Sequence, residues 1–256
     1  MPGIMSSDPR PHLFVSDLHL ESVDSRQFQR FRELLHAWKS MAAGIWLLGD
    51  ITELWVGDDD DGPLAAALID VLQDTTKACS VYLMQGNRDF LYGETLAKRT
   101  GVELISDPFR MSSGLLLAHG DAWCIDDLPY QQFRTMVRSP QWQQEILAKS
   151  IGERRAFGAA LRAKSRETNS NKAANIMDVN AGALSAALSA ASCHSVIHGH
   201  THRPGLYDLR PGQRVVLGAW DGLVGWYGLL RAQRLSLHVF SLEHRYGSGS
   251  LDRHPG

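Results

Sequence analysis

The sequence predicts an α/β fold, on three observations. Short apolar runs, HLFVS, GIWLLGD, SVYLMQ and SVIHGH, recur along the 256 residues, and each ends in polar residues. The segment from about Ser25 to Met41 carries helical spacing through Phe28, Phe31, Leu34, Leu35 and Trp38. A second such segment runs through Leu64, Leu68, Ile69 and Leu72. Strands alternating with helices imply a largely parallel sheet, whose functional residues gather where the carboxyl ends of the strands open into loops.

In chain order, HLFVS runs into Asp17 and GIWLLGD into Asp50, followed by the loop GDDDDGP. SVYLMQ delivers the loop GNRD, and a strand near Leu115 to Ala118 delivers His119. From about Pro129 to Ala191 the strand signals vanish and Arg, Lys, Gln and Ala dominate; residues 128–172 read as a helical insertion capping the site as a lid. SVIHGH then restores a strand with a polar end. VVLG, GWYGLL and LSLHVF are expected to be antiparallel strands completing a second sheet. The core is thus expected over 12–127 and 173–242, with flexible termini at 1–11 and 243–256.

Composition excludes more than it assigns. A formal net charge of -2 gives no global electrostatic case for a nucleic-acid partner. Cys79, Cys124 and Cys193 are odd in number and lack CxxC spacing, which argues against a disulfide framework or structural zinc and fits a reducing compartment. Without a run of about 18 apolar residues or a secretory signal, a cytoplasmic chain, soluble or peripheral on a membrane, is expected. No obligate protein partner is evident.

The polar strand ends form a constellation. Asp17 and His19 in SDLHL are two apart on extended chain, so both can chelate one ion, although a lone D-x-H is more often a solvated loop pair. Asp50 alone could be a helix N-cap. His200 and His202 in HGHTHRP strengthen the metal reading, because two imidazoles at alternate positions share one face. His198, within the strand, is expected in the core or in a supporting role. Asn87 and His119 complete a mixed nitrogen and oxygen set, which suits Mn, Fe or Zn better than Ca or Mg.

In order, D-x-H, GD, GN, H and GHxH resemble the signature of the calcineurin-like metallophosphoesterases. The resemblance implies a four-layer α/β/β/α sandwich holding two ions bridged by Asp50. It further implies Asp17, His19 and His202 around one ion and Asn87, His119 and His200 around the other. Two such cations lower the pKa of a shared water and clamp the oxygens of a phosphorus centre during in-line attack.

Relatives commonly have His after the Asn of GN; here the residue is Arg88. An alkoxide leaving group needs a proton, whereas a phosphate monoester departs as an anion that Arg can hold through charge-assisted, bidentate hydrogen bonds. Arg88 thus points to cleavage within a diphosphate, unless it merely pairs with Asp89 or another carboxylate as scaffold. FVSDLHL, LLGDITELWVGDDD, GNRDF, HGDAWCIDD and IHGHTHRP together resemble the bacterial UDP-2,3-diacylglucosamine pyrophosphatases (hydrolases) of lipid A synthesis, from about residue 12 to 240. That resemblance implies Mn-dependent water attack at the α-phosphorus of UDP-2,3-diacylglucosamine, releasing UMP and 2,3-diacylglucosamine 1-phosphate (lipid X). Asp50, Asn87, Arg88 and His119 would be catalytic. Asn87, Arg88, Asp127, Ser165, Asn169, Lys172 and His200 would contact substrate.

Ser165, Asn169 and Lys172 fall at spacings that share one helix face. The insertion interleaves apolar residues such as Phe133, Trp142 and Phe157 with Arg134, Arg138, Arg154, Arg155 and Arg162. A lipid-lined groove with a basic outer face would favour an anionic membrane, which places the protein at the cytoplasmic face of the inner membrane. Competing readings are a soluble nucleotide diphosphatase or phosphodiesterase on the same metal core, and a non-catalytic scaffold of this fold. Ala219 in LGAWDG stands where the family has an acidic residue, and Asp58 to Asp61 read only as a solvated loop or a field near the cations.

Overall fold

The computed structural model describes residues 8–170 and 178–246, with backbone alone over 166–170. In chain order the elements are β1 (His12–Val15), α1 (Arg26–Trp38), β2 (Gly44–Leu48), α2 (Pro63–Thr76), β3 (Val81–Met84), α3 (Glu94–Thr100), β4 (Glu103–Ile105), β5 (Phe109–Arg110) and β6 (Leu115–Ala118). There follow α4 (Leu128–Val137), α5 (Pro140–Leu147), α6 (Ile151–Ser170), α7 (Ala181–Ala191), β7 (Ser195–His198), β8 (Gly205–Asp208), β9 (Gln213–Val216), β10 (Val224–Arg231) and β11 (Arg234–Ser241).

Local chemistry sets the helix starts. The Ser25 hydroxyl accepts from the Phe28 amide at the start of α1, and Pro63 opens α2, where its missing N–H costs nothing. The Asp127 and Ser139 side chains cap α4 and α5 by accepting from the Tyr130 and Trp142 amides. α3 stops at Gly101, whose φ of 78° suits a left-handed cap.

Two sheets follow from the strand pairing. One has the order β11-β10-β1-β2-β3-β4, with β1 to β4 parallel; the other is β5-β6-β7-β9-β8, with β6, β7 and β9 parallel. The C-terminal segments depart from expectation. GWYGLL and LSLHVF form β10 and β11, which join the first sheet as an antiparallel hairpin against β1; VVLG contributes to β9, which lies parallel to β7 in the second. Apolar alternation marks a half-buried strand without naming the edge it pairs with.

The sheets face each other across a core of Phe14, Trp46, Tyr82, Leu117, Ile197 and Leu217. The Trp46 and Tyr82 rings stack with centroids 3.8 Å apart. Phe31 and Leu35 of α1 and Leu68 and Leu72 of α2 cover the outer face of the first sheet, and Leu184 of α7 packs with Leu116 and Val196 on the second. This is the expected α/β/β/α sandwich. Burying each such side chain contributes about 1.5–3 kcal/mol. Order also extends past residue 242, where a flexible tail was expected: the Trp38 indole donates to the Tyr246 hydroxyl at 2.8 Å, and the Tyr246 ring packs edge-on against Phe240.

α4, α5 and α6 lie between β6 and β7, in the span read as an insertion, and Asp59 to Asp61 tether α6. Asp58 accepts from the Trp55 indole and from the Gly93 and Leu96 amides, capping α3. Asp59 receives both terminal nitrogens of Arg154, at 2.7 and 2.5 Å, while Asp60 and Asp61 share Arg155. The four acids are therefore not merely a solvated loop. Asp59, Asp60 and Asp61 hold α6 to the core, and Asp58 fixes the start of α3.

Candidate metal centre

The loops after β1 and β2 are stitched together before any ligand is considered: the amides of Asp17, His19 and Leu20 donate to the carbonyls of Gly49, Asp50 and Ile51. Asp89 fixes the next loop, because its carboxylate accepts from the amides of Asp50, Ile51, Thr52 and Gly86. Burial, followed by the neighbouring Asp50, pushes the Asp89 carboxyl up to about 6. Glycine permits the crowding. A Cβ on Gly86 would lie 2.2 Å from the Asp50 amide nitrogen, and one on Gly199 would lie 2.1 Å from Asp17 Oδ2. Asp17, His19, Asp50, His200 and His202 all take positive φ, between 49° and 68°. Such backbone is costly for residues with a Cβ and persists where the surroundings over-determine it.

These turns bring the seven expected ligands together. Asp17, His19 and His202 can present one atom each within 4.8 Å of one another, as can Asp17, Asp50 and His119. His19 Nε2 and His202 Nε2 lie 3.2 Å apart, and His202 Nε2 lies 3.4 Å from Asp17 Oδ1. On the other side, His119 Nε2 and His200 Nδ1 each stand 2.8 Å from Asn87 Oδ1. Asp50 stands between the groups, with Oδ2 4.0 Å from His19 Nε2 and Oδ1 3.7 Å from His119 Nε2.

The donor set fits divalent cations. Asp17 Oδ1 is buried with no hydrogen-bond partner, a state that costs about 1–3 kcal/mol or more unless something else satisfies it. Supporting bonds aim the rings: His119 Nδ1 donates to the Leu48 carbonyl, and His19 Nδ1 donates to Glu53 Oε2 at 2.7 Å, leaving both Nε2 atoms turned to the cluster. Asp17 Oδ2 is held by the Ser16 hydroxyl and the His200 amide.

Charge is dense here. Burial would lower the His119 pKa, but Asp50, Asp17, Asp121 and Asp107 outweigh it and push it up to about 9. Burial would raise the Asp17 carboxyl, yet His202, His119 and His19 hold it well below the usual carboxylate range. His200 is pushed down to about 4 by burial and then by cationic His119. His198 faces away, packing edge-on against Trp123; its Nε2 accepts from Arg214, and burial followed by that guanidinium pushes it down to about 3.

Arg88 reaches the cluster without the scaffold pairing to Asp89, whose oxygens are taken by backbone amides. Its Nε is buried without a hydrogen-bond partner, 4.0 Å from Glu53 Oε2. It lines a cavity of about 580 Å³ that also holds His19, Asp50 and His200 and runs beneath apolar Phe133, Trp142 and Phe157 of the insertion. Ser165 lines the cavity too, as does Asp127, which in addition caps α4. Asn169 sits in α6 with its side chain outside the described residues, and Lys172 lies outside them altogether.

Several residues at the site were missed in the sequence. The Tyr130 ring stacks on His200 with centroids 5.9 Å apart while its hydroxyl donates to buried Asp121, which Arg134 also pairs. Glu53, three residues after Asp50, had a signal in the motif GDITE, but only the fold shows what it touches. Ala219 is buried, and its neighbour Trp220 donates a backbone hydrogen bond to the Asp17 carbonyl.

The model of the calcineurin-like phosphoesterase family matches residues 11–204. A protein of Chromobacterium violaceum named UDP-2,3-diacylglucosamine hydrolase is 43% identical over 222 residues, covering 85% of this chain and 93% of its own. Proteins of the same name from Cellvibrio japonicus and Escherichia coli O7:K1 are 40% and 39% identical, covering 84% and 81% of this chain and 92% and 90% of their own.

Proposed function

The chain belongs to the calcineurin-like phosphoesterases, and from that premise we propose that it is a Mn-dependent hydrolase of the diphosphate in UDP-2,3-diacylglucosamine, releasing UMP and 2,3-diacylglucosamine 1-phosphate. The substrate is that in the names of relatives about 40% identical over most of both chains. The observation that carries the reading to this chain is Arg88, a half-buried guanidinium whose Nε makes no hydrogen bond, set where the ligand cluster meets an apolar cavity.

Asp17, His19 and His202 would hold one cation, Asn87, His119 and His200 the second, and Asp50 both. When bound, two divalent cations lower the pKa of a shared water and neutralise charge on the phosphoryl oxygens. The protein's own groups do the rest. Asp50 and His119, fixed by Arg88 N–H and by the Leu48 carbonyl, keep the reacting phosphorus in register. Arg88 and Asn87 hold the departing sugar phosphate as an anion, so no side chain has to deliver a proton to it. The insertion supplies walls for the acyl chains and, through Ser165, a polar contact for the glucosamine; Asp127 lines the same cavity, and Asn169 and Lys172 are substrate contacts by resemblance to the family alone.

No helix among the described residues is long and apolar enough to cross a membrane. Exposed Ile125, Leu128, Met136, Leu147 and Phe157, on or just before the insertion, favour peripheral association with the cytoplasmic face of the inner membrane. The deciding assay supplies Mn and compares UMP release from the diacylated substrate with turnover of UDP-glucosamine, diadenosine polyphosphates and bis-p-nitrophenyl phosphate. Preference for any of the latter three overturns the lipid assignment, and UDP in place of UMP overturns attack at the α-phosphorus.

A further inference from the structure

Glu53 sits between two segments that the chain separates widely, the loop of His19 and helix α6. Its Oε2 accepts from His19 Nδ1 at 2.7 Å, and its Oε1 lies 2.5 Å from Arg162 Nη2 on α6. Arg162 Nη1 also donates to the Glu53 carbonyl at 3.0 Å, and Nη2 to Glu21 at 3.2 Å. The Glu53 amide is tied to the Leu20 carbonyl, one residue beyond His19. Its side chain is 13% exposed and that of Arg162 15%, so solvent screens these contacts weakly.

We propose that Glu53 is a positioning residue that couples the docking of α6 to cation binding at His19. The carboxylate divides its oxygens. One fixes the imidazole with its proton on Nδ1, which leaves the Nε2 lone pair directed at the Asp17 and His202 donors; the other receives the guanidinium of the insertion. A cation drawing electron density from His19 Nε2 makes the Nδ1 proton more acidic and its bond to Glu53 stronger, which holds the carboxylate in the orientation Arg162 needs. Coupling of this kind is reciprocal: whatever α6 docking adds to cation affinity, the cation adds to α6 docking. Arg162 stands three residues before Ser165 on the same helix, so the device reaches from the cation site to the wall of the substrate cavity.

The inference rests on the metal reading, and its test separates the two. Mn²⁺ alone, without substrate, is titrated calorimetrically into the wild type, Glu53→Gln and Arg162→Ala, and amide hydrogen exchange across α6 is followed with and without Mn²⁺. Wild type is expected to bind Mn²⁺ and to slow exchange around Arg162 when it does. Gln offers one acceptor oxygen where two are used, so Glu53→Gln should bind about 10- to 100-fold more weakly and lose the Mn²⁺-dependent protection of α6. Exchange in β1 and β2 should stay as in wild type, which a general loosening would not allow. Arg162→Ala should weaken Mn²⁺ binding without touching a ligand. Wild-type Mn²⁺ affinity in Glu53→Gln, or undiminished protection of α6 in it, overturns the coupling while the metal reading stands. Failure of the wild type to bind Mn²⁺ overturns both.

Discussion

His19 Nε2 and His202 Nε2 face each other at 3.2 Å, a separation at which two imidazole nitrogens must share a proton or a cation. With the unpartnered Asp17 Oδ1 beside them, this makes the cluster unfavourable to assemble empty. Mn²⁺ should therefore stabilise the fold, by about 2.7 kcal/mol at a free concentration 100 times the dissociation constant. Thermal unfolding with graded Mn²⁺, then excess chelator, checks this; a midpoint that ignores both would sink the metal assignment.

Replacing Arg88 should cost chemistry rather than stability. Its side-chain Nε makes no hydrogen bond, whereas its backbone amide, which any residue retains, donates to Asp50. Arg88→Ala is expected to lower kcat by about 10²- to 10³-fold with little change in the urea midpoint. Arg88→Lys should recover only a small part, because an ammonium cannot bind an anion bidentately. Equal kcat for Lys and Arg would refute the leaving-group role.

Asp89 predicts the opposite pattern. Asp89→Ala strands four backbone donors behind the ligand loops and should destabilise the protein by about 3 kcal/mol or more. Asn, with one acceptor oxygen, should fall between. Urea denaturation of the Mn²⁺-loaded proteins gives the order; identical midpoints for all three would contradict the anchoring role.

The tether between Asp59 and Arg154 gives a pH dependence. Hydrogen bonds from Arg154 hold the Asp59 carboxyl below its ordinary 3.8. Its contribution to stability is fully present above 3.8 and is lost as pH falls through the lower folded value. The gap in thermal midpoint between wild type and Asp59→Asn should be constant at neutral pH and close only below about 3.8. A gap that closes between pH 5 and 7 would show that another group is responsible.

Membrane attachment should respond to salt and to the exposed apolar side chains. Sedimentation with anionic vesicles is expected to fall as ionic strength rises and to fall further in Leu128→Ser, since Leu128 is 67% exposed. Salt-independent binding, or none, would remove the peripheral assignment.

The ligands were legible because each lies at the polar end of a short apolar run, where neighbours in sequence determine geometry. Spacing placed Asp17 with His19 and His200 with His202 before any fold was known. Glu53, Asp89 and Tyr130 were not legible, since each matters through a partner on another element. The same limit misassigned β10 and β11: alternation showed that they are strands, while the vacant edge of β1 decided where they went.

That edge orders events during synthesis. β1 leads into the loop of Asp17 and His19, yet β10 lies antiparallel against it, and His202 stands 183 positions after His19. A nascent chain holds the first two ligands just beyond a strand with one side unpaired until almost the whole polypeptide has emerged. Closing so distant a contact is slow. A chain stalled after β9 would hold every ligand of the cluster and still lack the strand that pairs the free side of β1.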